Sequence, residues 1–246
     1  MVDLINVCSM SGHNKWSGIK HRKEAQDNKR AKIFTRVAKL ITIAAQQGGG
    51  DLDSNPSLKV VVDKARSVNM PNDNIQRAIK RGTGEGGDAT KIEEVLYEAM
   101  GPEGSAMLIL CATDNTNRAL TDVKTALKKN DGKFVSGGGV LFQFAHVGQI
   151  AVETDDVDAV ELAAIEAGAE DVSADEGVVI VTTAVSELHV VREQLIADGL
   201  AVADVRIAYV PQQTVELSAS GAALYENLYD VLDEIDDVQE IYTNVA

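Results

Sequence analysis

The spacing of apolar residues changes period along the chain. From Asp27 to Gln47 it is helical: Ile33, Phe34, Val37, Leu40, Ile41 and Ala44 fall on one arc, and Gly48-Gly49-Gly50 ends the run. A second helix is predicted from Asn55-Pro56, with Asn55 as cap and proline at the first helical position, burying Leu58, Val61, Val62, Ala65 and Val68. A third starts between Pro71 and Asp73, carrying Ile75, Ala78 and Ile79 inward and Arg77, Lys80 and Arg81 outward.

Beyond residue 82 the period becomes two. Val95 to Met100 and Ser105 to Thr113 read as a hairpin across Gly101-Pro102-Glu103-Gly104, followed by a helix bearing Leu120, Val123 and Leu127 that ends at Asn130-Asp131-Gly132. Val140 to Phe144 and Gln149 to Val152 read as a second hairpin turning at Ala145 to Gly148. Next come a helix (Asp155 to Ala167), a strand near Val172, a strand Val178 to Thr183, a helix (Ser186 to Ala197) and a strand Leu200 to Val210. From Gln149 this spells β-α-β-β-α-β, the ferredoxin-like order. A short strand (Thr214 to Leu217), a helix (Ala222 to Ile235) and a last strand (Val238 to Val245) remain, and the helix-strand pair is most economically given to the interrupted sheet of residues 95–133.

The expected fold class is therefore α+β: an N-terminal three-helix domain, then two α/β domains of ferredoxin-like type, one inserted in the other. The corresponding boundaries are an extension at 1–9, a basic helical domain at 10–81, a discontinuous domain at 82–134 and 211–246, and an inserted domain at 135–210. Met10 is an alternative start. Cys8 and Cys111 read as a dispensable thiol and a core residue, not a bridge, which fits a reducing cytoplasm. No apolar run approaches the ~20 residues of a membrane span, and residues 1–9 lack the charged and apolar regions of a secretory signal.

Charge adds what periodicity cannot. Residues 1–81 carry 15 basic and 7 acidic groups, whereas residues 82–246 carry 8 and 31. The densest basic run holds Lys15, Lys20, Arg22, Lys23, Lys29, Arg30, Lys32, Arg36 and Lys39. At about 100° per residue, Lys29, Lys32, Arg36 and Lys39 share one helical stripe away from the apolar arc. Such a stripe is a solvated face or a contact for a polyanion, and the segregation of sign favours the polyanion. On either reading, charge reversal at Lys29, Lys32 and Arg36 should leave the fold intact. Secondary candidates are His13, Trp16, Arg77, Lys80, Arg81, Lys124 and Lys128. With 4% aromatics, recognition would rest on phosphate contacts and shape more than on base stacking.

Reactive constellations are not apparent. Gly82-Thr83-Gly84-Glu85-Gly86-Gly87 matches G-x-G-x-x-G, but a helix precedes it and acids follow, so it reads as a linker. The histidines His13, His21, His146 and His189 are scattered, neither cysteine lies in a CxxC, and no nucleophile-base set is evident. Asp155, Asp156 and Asp158 read as acids at a helix start, and Asp233, Glu234, Asp236 and Asp237 as solvated. No enzyme, cofactor or metal is expected.

The runs SGHNKWSGIKHRKEAQDNKRAKIFTR, GGGDLDSNPSLKVVVDKARSVNMPNDNIQRAIKRGTG, YEAMGPEGSAMLILCATDNTNR and DDVQEIYTNV together resemble the YebC/PmpR family, which includes the mitochondrial translational activator of cytochrome c oxidase. The resemblance covers residues 10–246. It implies a three-domain cytoplasmic DNA-binding regulator of transcription, with a ribosome-associated translation factor binding ribosomal RNA as the alternative. A protein-interaction adaptor using the acidic domains is a further alternative. The family supplies no agreed catalytic residues. Ala119 departs from the threonine expected after Asn117-Arg118. The oligomeric state stays open.

Overall fold

The computed structural model describes residues 27–85, 91–154, 156–175 and 177–246, with residues 27–30 and 175 described in backbone only. Among them are seven α-helices and eight strands, in two compact units: residues 27–140 with 217–241, and residues 141–216 with 242–246.

The first unit opens with α1 (Asp27–Gly48), α2 (Pro56–Ser67) and α3 (Asn72–Thr83). Their apolar faces meet in one core containing Val37, Ile41, Leu58, Val62, Ile75 and Ile79. Asn55 joins two of them. Its side-chain oxygen accepts from the Leu58 amide, capping α2, while its Nδ2 donates to the carbonyls of Ala44 and Gly49 at the end of α1. The G-x-G-x-x-G run is divided. Gly82 lies inside α3, where a Cβ would stand 2.5 Å from the Thr42 carbonyl of α1, and Gly84 (φ 77°) caps the helix in the left-handed region. Gly86 and Gly87 lie outside the described residues.

A four-stranded sheet follows, in the order β3-β1-β2-β8, from β1 (Glu93–Met100), β2 (Ala106–Thr113), β3 (Lys133–Val135) and β8 (Val238–Thr243). Two helices, α4 (Thr116–Lys129) and α7 (Ala219–Asp233), pack on it over a core that includes Met107, Ile109, Cys111, Val123, Leu228 and Ile241. The closing helix-strand pair thus completes the sheet begun at residue 93, more than a hundred residues earlier. Glutamates near the β1-β2 hairpin hold the chain where it leaves and returns. Glu98 accepts from the amides of Gly138 (2.6 Å) and Val140 (2.7 Å), and Glu103 accepts from the Ser218 amide (2.9 Å) at the start of α7.

The second unit has β4 (Phe144–Glu153), α5 (Val157–Glu166), β5 (Asp171–Asp175), β6 (Val178–Ala184), α6 (Leu188–Ala197) and β7 (Val202–Pro211). Its sheet order, β5-β6-β4-β7 with every pairing antiparallel, is that of a split β-α-β sandwich. Both helices cover one face, burying Val160, Ala164, Val191 and Leu195 against Ile150, Val152, Val179 and Val181. Asp156 caps α5 by accepting from the Ala159 amide, as acids at a helix start should.

Two expectations are corrected. Residues 140–152 do not form a hairpin: a short 3-10 turn, Leu141–Gln143, leads into one continuous strand. Gly148, taken for a turn residue, lies mid-strand because a Cβ there would sit 2.7 Å from both Leu188 Cδ1 and Thr183 Oγ1. The strand expected at residues 214–217 reduces to one bridge, Val215 to Val245.

Candidate nucleic-acid interface

Where its side chains are described, at Lys32, Arg36 and Lys39, the cationic stripe is not open to solvent. One side of α1 enters the helical core, and the side bearing Lys32, Arg36 and Lys39 lies against the turn between α7 and β8. Lys32 Nζ donates to Asp233 (3.0 Å) and Glu234 (3.1 Å). Arg36 Nη2 donates to the Asp233 carboxylate (3.0 Å) and to its backbone carbonyl (2.9 Å). Lys39 Nζ donates to the Asp237 carboxylate (2.7 Å) and the Asp236 carbonyl (2.8 Å).

Asp237 is the centre of this array. Its side chain is only 6% exposed and also accepts from Thr113 Oγ1 (2.9 Å) and Arg118 Nη2 (2.9 Å). Burial opposes its ionisation, but the hydrogen bonds from Lys39, Arg118 and Thr113 outweigh burial and hold the carboxyl below the usual range. At Asp233 burial is likewise outweighed, here by Arg36 and Lys32. The expectation that Asp233 and Asp237 are solvated is therefore corrected, and the open stripe on which reversal of Lys32 and Arg36 was expected to spare the fold is not there. These charges are half-buried and mutually neutralised, so removing one side strands the other.

The remaining candidates fall elsewhere. His13, Lys15, Trp16, Lys20, Arg22 and Lys23 lie outside the described residues, and Lys29 and Arg30 lie on α1 with their side chains outside the description. Arg77, Lys80 and Arg81 are exposed along the outer side of α3, each outside any ion pair with a described residue. Lys124 lies over the Phe134 ring, 4.5 Å from its centroid, and Lys128 and Lys129 are exposed in the last turn of α4. There they complement the negative end of the helix dipole.

Arg81 and Lys129 line one open cleft of about 1090 Å³, with Arg118 also in its wall. Arg118 commits a single nitrogen, Nη2, to Thr113, Asp114 and Asp237. Asp122 and Asp236 share the same wall, so the cleft is mixed in sign. The contribution of Arg118 was not foreseen, because the cleft exists only once α3, α4 and the α7-β8 turn come together.

Among the described residues no group of three or more His, Cys, Asp or Glu is placed to hold a metal, and no helix is long and apolar enough to cross a membrane. Cys111 is buried, and burial, reinforced by Asp237, pushes its thiol up to about 12.

The fold defines a class: a helical N-terminal segment followed by two antiparallel α/β sheets, one interrupted by the other. Residues 14–85 match the family model described as the TACO1/YebC protein N-terminal domain, and residues 92–245 match that of the TACO1/YebC second and third domain. The chain belongs to the TACO1/YebC family. A relative from Caldanaerobacter subterraneus is 44% identical over 239 residues, 96% of this chain and 98% of that protein. One from Rubrobacter xylanophilus is 46% identical over 237 residues, 96% and 95% of the two chains. Both are named "probable transcriptional regulatory protein". The crystal structure of a conserved hypothetical protein from Aquifex aeolicus matches with a TM-score of 0.84 at 36% identity, over 94% of this chain and 96% of that one.

Proposed function

We propose that this protein is a non-enzymatic, cytoplasmic regulator of gene expression that binds nucleic acid through cations of its helical segment and of the α4 C-terminus. The names of the relatives support a role in regulation. The observation that carries the nucleic-acid part is the presence of exposed cations on two helices, Arg77, Lys80 and Arg81 on α3 and Lys128 and Lys129 on α4, with Arg81 and Lys129 in one cleft wall. Because Asp122 and Asp236 also line that wall, the phosphate contacts are assigned to the α3 rim and the end of α4, not to the cleft floor. Lys15, Lys20, Arg22, Lys23, Lys29 and Arg30 extend this set. Lys32, Arg36 and Lys39 are assigned to holding the fold.

Contacts of this kind are with phosphates, so they position the protein without reading bases. A salt titration on duplex DNA, repeated on a ribosomal RNA fragment, tests the assignment. If Z phosphates are neutralised, log affinity falls against log salt with a slope of about −0.9Z on duplex DNA. Arg77→Glu/Lys80→Glu/Arg81→Glu should weaken binding across sequences and flatten that slope. Unchanged affinity and slope on both polymers would refute it. Tighter binding to the ribosomal fragment at matched salt would favour translation over transcription.

A further inference from the structure

The 141–216 segment is chemically unlike the rest of the chain. It contains fifteen Asp and Glu, no Lys and two Arg. Neither arginine is idle: Arg192 pairs with Glu193, and Arg206 donates through Nε and Nη2 to Gln149.

This acidic unit also exposes large aliphatic side chains. The helices α5 and α6 bury Val160, Ala164, Val191 and Leu195 toward the sheet. At about 100° per residue the opposite side of a helix should be polar. Instead Leu162 and Ile165 on α5 and Val190 on α6 are 60%, 61% and 60% exposed. Single exposed aliphatics are ordinary, but three on the outer sides of two adjacent helices, in a small domain, ask for a cover. Asp158, Glu161 and Glu166 on α5 and Glu187 just before α6 are exposed, each within four residues of one of them along the chain.

We infer that this outer helical face docks a cationic amphipathic helix of a partner protein, whose apolar side covers Leu162, Ile165 and Val190 and whose Lys and Arg meet the surrounding carboxylates. Helix-on-apolar-face recognition of this type takes its affinity from the aliphatic anchors and its selectivity from charge. The same carboxylates disfavour nucleic acid and anionic lipid, and a second copy of the chain would bring like charge against like. The inference does not rest on the nucleic-acid assignment. It gives the protein a second attachment point of opposite electrostatic preference.

The test uses the full-length protein and a fluorescein-labelled synthetic 20-residue Leu/Lys peptide of helical amphipathic pattern, followed by anisotropy at 150 mM salt. A peptide of the same composition with its pattern scrambled is the control. Leu162→Ser/Ile165→Ser/Val190→Ser should weaken the patterned peptide at least tenfold, leaving circular dichroism, thermal midpoint and duplex DNA affinity unchanged. Equal binding of the two peptides, or equal affinity of wild type and variant, would overturn the proposal by reducing the interaction to net charge. A wild-type dimer in sedimentation that the triple variant converts to monomer would overturn it in favour of self-association.

Discussion

Two sets of cations in the first unit differ in their fate. On α1, Lys32, Arg36 and Lys39 face Asp233, Glu234 and Asp237 within hydrogen-bonding distance. On α3 and at the end of α4, Arg77, Lys80, Arg81, Lys128 and Lys129 face solvent. Both sets look alike along the sequence, since each is a run of Lys and Arg at helical spacing. The difference teaches that a positive stripe is a binding surface only when nothing in the fold has already used it. A helix whose charges are neutralised internally is held in place by them, and a polyanion must break that contact before using it.

The largest effect is expected at the hub. Asp237→Ala leaves Lys39, whose side chain is 16% exposed, without its carboxylate partner, and should cost about 3–5 kcal/mol in urea unfolding. A loss below about 1 kcal/mol would place the pair in the regime of surface ion pairs and erase the distinction between the two sets.

Binding separates the sets next. Arg77→Glu/Lys80→Glu/Arg81→Glu should reduce the DNA salt slope by about 2.7 if each cation neutralises one phosphate, with little loss of stability. Lys32→Ala/Arg36→Ala/Lys39→Ala should do the reverse, lowering the urea midpoint while the slope stays near the wild-type value. A slope change in the second variant would mean that the α1 stripe reaches phosphates after all.

The smallest effect is the dependence on pH. Asp233 and Asp237 have folded-state values below those of the unfolded chain, so their stabilisation is complete above the ordinary carboxylate value of about 3.9 and is lost as pH falls from there through the lower folded values. Urea midpoints measured from pH 7 down to pH 3 should fall in this acid window, and the fall should be shallower in Asp233→Asn/Asp237→Asn. Parallel curves would remove these two groups from the account.

What periodicity carries was legible. The three helices, the proline and asparagine at the start of α2 and the β-α-β-β-α-β order follow from local spacing and turn residues, and the return of the last helix and strand to the first sheet follows from economy, since that pair has no partner of its own. Gly148 was misread because a glycine demanded by packing against Leu188 and Thr183 looks, in sequence, like a glycine demanded by a turn. The three-residue strand at Lys133–Val135 carries too little pattern to be seen. The site was less legible for a different reason. Asp233 and Asp237 lie about two hundred residues from Lys32 and Lys39, and nothing in either stretch announces the other.

The buried Cys111 has a practical corollary. With its thiol pKa pushed up to about 12 and its sulfur enclosed beneath the sheet of the first unit, the residue is closed to alkylating reagents at neutral pH while that sheet stays shut. Iodoacetamide uptake at this cysteine, followed by peptide mass spectrometry, would therefore act as an internal clock for opening of the sheet. Running that clock in the Asp237 variant would show whether the ionic hub sets the rate at which the sheet breathes.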